Sequence, residues 1–158
     1  TDDYFWNDIN VKCIGYFRCI RAVVPDMKSR GWGRIINISG LGARNVGSLT
    51  GSVRNVAIVA MTKNLAAELG RDGINVTVVH PGYTRTEATP RVIADLAISN
   101  GISEKEAEKQ IALKNPLGRI IDSREIGYIV TFLASPKSVA INGDVIAAGG
   151  GAGTSIHY

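Results

Sequence analysis

Ile35-Ile36-Asn37-Ile38-Ser39-Gly40 runs into a polar, glycine-bearing loop, and Gly51-Ser52-Val53-Arg54-Asn55-Val56-Ala57-Ile58-Val59-Ala60-Met61-Thr62-Lys63 follows it. The first stretch is apolar and rich in isoleucine, the pattern of a parallel strand covered on both faces. The second carries Val53, Val56, Ala57, Ala60 and Met61 at helical spacing and continues through Leu65 to Leu69. Gly70 and Gly73 close it. The reading is a strand over 34–39, a loop over 40–50 and a helix over 52–69.

Working outward, 3–29 reads as one long helix capped by Asp3. Phe5, Ile9, Val11, Ile14, Phe17, Ile20, Val23, Val24 and Met27 recur at helical spacing. Apolar residues cover so much of its circumference that burial on more than one side is expected. Asn10 sits inside this helix, where an asparagine either faces solvent or serves a function. Downstream, Ile74–Val79 is a second buried strand that breaks at His80-Pro81-Gly82. Tyr83 to Glu87 then leaves the end of the strand at which open α/β sheets bind ligands. Two short helices follow over 91–99 and 103–114, the second announced by the capping box Ser103-Glu104-Lys105-Glu106. Asp122 or Ser123 caps a last helix to Ala134, with Ile126, Ile129, Val130 and Leu133 facing inward. Val145–Ala148 is a third strand. Strands alternating with helices imply α/β architecture with a parallel sheet and right-handed crossovers.

The chain has 158 residues, enough for one domain with a real core. It holds 18 Lys plus Arg against 14 Asp plus Glu, a net charge of +4, with the basic residues scattered. That argues against a nucleic-acid patch. There is no 18-residue apolar run to span a membrane and no Cys/His spacing that reads as a metal site. Cys13 and Cys19 read as reduced thiols of a cytoplasmic protein. No signal peptide is legible. Thr1 opens directly into a structured segment, so a trimmed or partial chain is expected.

Taken together, several segments resemble the C-terminal half of a short-chain dehydrogenase/reductase. They are Ile9-Asn10-Val11, Gly33-Arg-Ile-Ile-Asn-Ile-Ser39, Thr62-Lys-Asn-Leu-Ala-Ala-Glu-Leu69 and Gly73-Ile-Asn-Val-Thr-Val-Val-His-Pro-Gly82 with Thr86. Pro116-Leu-Gly-Arg119, the helix over 125–135 and Gly149-Gly150 complete the series. The resemblance covers nearly the whole chain. It implies part of a doubly wound Rossmann-like sheet, a single domain whose dinucleotide-binding N-terminal portion is missing, and NAD or NADP as cofactor. The phosphate-binding glycine motif of the family is not in this sequence.

In the family a Tyr exchanges the substrate proton, a Lys one helical turn later lowers its pKa and holds the nicotinamide ribose, and a Ser binds the substrate oxygen. Counting back from Thr62-Lys63, the Tyr position falls on Gly51 and the Lys position on Asn55. The Ser position falls on Gly40, with Ser39 or Ser48 as stand-ins. The resemblance therefore assigns Asn10 and Ser39 as catalytic, and Asn55, Pro81, Gly82, Thr84 and Thr86 as cofactor-binding. Tyr83 reads first as a packing aromatic, Lys63 as a solvated residue, and His80 and His157 as satisfying local backbone bonds. Arg54 points about 100° around the helix from Asn55. The implied activity is NAD(P)-dependent oxidoreduction of a carbonyl or secondary alcohol with an atypical active site. The alternative is an inactive binding or oligomerisation scaffold. The family also pairs the helices matching 3–29 and 52–69 with their copies, which implies a homodimer or homotetramer. Residues 88–116 match its variable substrate lid.

Overall fold

The computed structural model describes residues 1–154 and Ile156. The chain opens with α1 (Asp2–Ile9) and α2 (Gly15–Arg30), then β1 (Gly33–Ile38), α3 (Leu49–Leu69) and β2 (Ile74–Pro81). β3 (Thr84–Arg85), α4 (Thr89–Asn100), α5 (Glu104–Ala112), β4 (Ile121–Asp122), α6 (Ser123–Ala134) and β5 (Val145–Ala148) follow. The main sheet has the order β1-β2-β5 and is parallel throughout. A second, unanticipated parallel pair joins β3 to β4.

β2 is central, and Ile74, Val76, Val78 and Val79 have no measurable exposure. Its two faces go to different layers. Ile35, Ile74 and Val76 pack against Ile20 of α2 and Ala66 and Leu69 of α3. On the opposite face Val79, Ile36, Ile38 and Ile146 meet Leu133, Ile126 and Ile129 of α6. Leu133 is fully buried, while Ile126, Ile129 and Val130 are only partly so. α4 and α5 build a separate small core from Ile93, Ala97, Ala107 and Ile111, and Tyr83 packs onto it. The expected capping box forms at Ser103/Glu106, and of Asp122 and Ser123 it is Asp122 that caps α6, in a second capping box with Glu125.

Three expectations are corrected. The helix over 3–29 is not continuous: Asn10–Ile14 form a π turn in which the Gly15 N–H reaches back to the Asn10 carbonyl. Nor is it buried on more than one side within this chain, since Ile20 alone is fully buried while Val11 and Phe17 are 66% and 44% exposed. The helix after β1 begins at Leu49 rather than Ser52, because Ser48 accepts a hydrogen bond from Gly51 N–H and so caps it earlier. No helix among the described residues is long and apolar enough to cross a membrane.

Gly73 lies where α3 hands over to β2, with φ of 76°, and a Cβ there would stand 2.1 Å from the Gly31 carbonyl oxygen. Gly101 has φ of 63° and nothing within 4 Å. Gly101→Ala is therefore expected to cost about 1–2 kcal/mol for the left-handed backbone alone. Gly73→Ala adds a backbone collision and should cost clearly more, as read from urea unfolding of the two variants. Equal costs would refute the close approach.

Candidate functional site

The register of β1 on β2 carries Ile35, Asn37 and Ser39 on the face toward α3, opposite Val76, Val78 and His80. Ser39 N–H donates to the Val79 carbonyl at 2.9 Å, which extends the ladder one step past Ile38. Ser39 and His80 are thus cross-strand neighbours, with strands spaced about 4.8 Å apart. They sit at the carboxyl ends of the parallel strands, the end at which such sheets bind ligands.

α3 brings Asn55 onto Ser39. Ser39 Oγ lies 3.2 Å from both the Asn55 main-chain carbonyl oxygen and its Oδ1. Asn55 is 7% exposed and packs under the loop after β1, where a Cβ on Gly42 would stand 3.0 Å from its Nδ2. Two turns further along α3, Thr62 accepts from Asn37 Nδ2 at 2.9 Å, which locks the helix to the strand below the site. Lys12, from the π turn, donates to Asn55 Oδ1 at 3.4 Å. Its neighbour Arg54 is held by an ion pair to Asp8 of α1. Burial, followed by the repulsion of Arg54, lowers the Lys12 pKa.

His80 is 1% exposed, and neither ring nitrogen has a hydrogen-bond partner. The expected local backbone bond is absent. Burial first, then the charges of Arg44 and Lys12, hold its pKa down to about 4, so it is neutral at pH 7. Tyr16 of α2 closes the side of the site, donating from its hydroxyl to the Ile38 carbonyl at 2.8 Å. Sequence reasoning missed Lys12 and Tyr16. Their spacing of four, which puts two residues on one helix face, is the signal that finds them.

The chain leaves β2 through Pro81-Gly82. A Cβ on Gly82 would stand 2.7 Å from Gly149 Cα, and only glycines let β2 and the end of β5 pass so closely. Thr84 Oγ1 donates to the Gly82 carbonyl at 3.0 Å, and Thr86 N–H donates to Thr89 Oγ1 at 2.8 Å. Beside this turn a pocket of about 270 Å³ opens between Leu41, Arg44, Asn45, Ala147 and the turn at 151–153.

The fold thus brings together Ser39 and Asn55, with Pro81, Gly82 and Thr84 at the same end of the sheet. Asn10 is exposed, and its side chain makes no hydrogen bond among the described residues. Gly51 lies in the first turn of α3, with the Ser48 hydroxyl 2.6 Å from where its Cβ would be. Lys63 is exposed, and His157 lies outside the described residues. No group of His, Cys, Asp and Glu among the described residues could hold a metal ion.

Because the folded pKa of His80 is depressed, the unfolded chain binds the extra proton as pH falls below about 6.5. Stability is therefore expected to fall between about 6.5 and about 4, and to level off below that. His80→Phe removes that slope. Thermal melts of both proteins across this range test the expectation, and parallel curves would contradict it.

A protein-family model described as enoyl-(acyl carrier protein) reductase matches residues 1–153. The NADPH-dependent reductase BacG of Bacillus subtilis is 33% identical over 92% of this chain. The chain spans 57% of that relative's length. A 3-oxoacyl-[acyl-carrier protein] reductase from Brucella melitensis with bound NAD superposes with a TM-score of 0.81 at 26% identity, over 98% of this chain and 54% of its own. L-sorbose reductase from Gluconobacter frateurii, solved with NADPH and L-sorbose, shares the fold with a TM-score of 0.91 at 24% identity, over 99% of this chain and 60% of its own. The parallel sheet, the closely passing glycines at the end of β2 and the family match over nearly the whole length agree. The chain belongs to the short-chain dehydrogenase/reductase family.

Proposed function

We propose that this chain is part of an NAD(P)-dependent oxidoreductase acting on a carbonyl or secondary alcohol, with an atypical proton donor. The observation that carries the reading is the meeting of Ser39, Asn55 and the turn at Pro81-Gly82 at the carboxyl ends of one parallel sheet. The chain is read as the C-terminal portion of one Rossmann-like domain, in a cytoplasmic protein. NAD or NADP, when bound, supplies or accepts the hydride. The Thr86 side chain is exposed and free to meet a polar edge of the cofactor. Asn55, Pro81, Gly82, Thr84 and Thr86 would hold the nicotinamide end. Ser39 would donate to the substrate oxygen, and Asn10 would order a water that relays protons. Gly51 transfers no proton and Asn55 carries no charge, so the proton step is the weak one.

The substitutions Gly51 and Asn55 favour a second reading, an inactive family member that serves as a scaffold. Removing a general acid typically costs about 10²–10⁴ in rate. The protein carrying this chain, titrated with NADH and NADPH by calorimetry and assayed with carbonyl substrates, is expected to bind one of them and turn over slowly. The double variant Gly51→Tyr with Asn55→Lys should gain about 10²–10⁴ in kcat. Tyr at 51 requires the Ser48 hydroxyl to swing aside. Binding without turnover in the parent supports the scaffold; absence of binding refutes the oxidoreductase.

The same reading includes a homodimer or homotetramer through the helices over 3–29 and 52–69. Val11, Ile14 and Phe17 on the first and Val53 and Val56 on the second are exposed apolar residues that association would cover. Light scattering at micromolar concentration is expected to give at least twice the protomer mass, and Phe17→Asp to lower it. A monomeric parent removes the interface.

A further inference from the structure

Arg44 sits half-buried in the loop after β1, and none of the ion pairs among the described residues includes it. Its main-chain N–H donates to the Leu41 carbonyl at 2.8 Å, and its guanidinium makes no hydrogen bond among the described residues. A cation drawn partly out of water with no counter-charge is costly. This one lines the pocket of about 270 Å³ at the carboxyl ends of the strands. No acidic residue lines that pocket; Leu41, Asn45, Ala147 and the small residues of the turn at 151–153 complete its walls. The turn packs closely on Asn45, since a Cβ on Gly153 would stand 3.2 Å from its Oδ1. The two charges that reach His80 at this end of the sheet, Arg44 and Lys12, are both positive, so the corner attracts an anion. Ala147 pairs with His80, and His80 lies across from Ser39, so one row over three strands runs from Ser39 to the pocket wall. Two strand spacings make that distance about 10 Å.

We propose that this pocket receives the acid end of the substrate, with Arg44 donating in a two-bond fork to the carboxylate of a small oxo acid whose ketone oxygen lies at Ser39. The inference rests on the oxidoreductase reading and deepens it by naming the substrate class. A planar guanidinium matches a carboxylate with two parallel N–H···O bonds. One guanidinium also balances the single charge of a carboxylate, whereas a phosphate monoester carries about −1.5 to −2. The span from Ser39 leaves a few carbon atoms between ketone and carboxylate, and a pocket of about 270 Å³ lies at the small end for a ligand site. In the reduction the C=O π bond breaks, hydride from NAD(P)H joins the carbon and a proton from water joins the oxygen, giving the hydroxy acid and oxidised nucleotide. Arg44 holds the end of the substrate that does not react and so sets specificity.

The test uses the protein carrying this chain, saturated with oxidised NAD or NADP so that no turnover occurs. It is titrated by calorimetry with levulinate and 5-oxohexanoate, each beside its neutral methyl ester. The parent is expected to bind at least one acid about 10- to 100-fold more tightly than its ester, the range for hydrogen bonds to a charged group. Arg44→Met should remove that preference and leave ester binding unchanged. Arg44→Lys keeps the charge without the fork and should recover only part of it. Arg44→Gln serves if Arg44→Met does not fold. A parent that binds nucleotide but prefers neither acid over its ester overturns the inference and spares the oxidoreductase reading, as does a preference that Arg44→Met leaves in place. Failure of the parent to bind either nucleotide overturns both. Equal losses of acid and ester in Arg44→Met assign Arg44 to the loop structure and overturn the inference. Dihydroxyacetone phosphate bound more tightly than either acid, and weakened by Arg44→Met, makes the pocket a phosphate site and does the same.

Discussion

β2 pairs in parallel with β1 on one side and with β5 on the other, and it is covered by α3 on one face and α6 on the other. That double burial removes any freedom of register, because a slip of one residue would turn Val76 and Val78 toward α6 and Thr77 and Val79 toward α3. Fixed register is what puts Ser39 beside His80, and Asn55 of α3 then meets Ser39. Side-chain amides reinforce it where ladder bonds leave groups over. Asn142 accepts from Val76 N–H at 2.8 Å and donates to the Ala66 carbonyl at 3.3 Å, tying strand to helix. Asn75 donates to the Val139 and Ile141 carbonyls at 2.8 and 2.9 Å, tying the strand to the approach to β5.

The frame of the family survives intact around Gly51 and Asn55, since neither position carries the core. Gly51 lies in the first turn of α3, and Asn55 fills its place by hydrogen bonding to Ser39. Charge enters from another helix at Lys12, and the one buried imidazole is kept neutral by its surroundings.

Sequence by itself determined the alternation of strands and helices, the parallel sheet, the capping box at Ser103 and the family. These follow from local rules: apolar periodicity, glycine at helix ends, and Ser three residues before Glu. It also singled out Ser39, Asn55 and the turn at Pro81-Gly82 by their fixed spacing from Thr62 and Gly73, and the fold sets them at one end of the sheet. Only the tertiary structure decided which side chains meet. An isolated helix gives no sign that Asn10–Ile14 will widen into a π turn, so spacing could put Lys12 and Tyr16 on one helix face but not against Asn55 and Ile38. Nothing local to His80 says that its imidazole will be sealed between β2 and α3 without a partner, for that depends on the register of β1, 41 residues earlier. The exposure of Val11 and Phe17 was likewise unreadable, because a helical pattern records that a face is apolar and not what covers it.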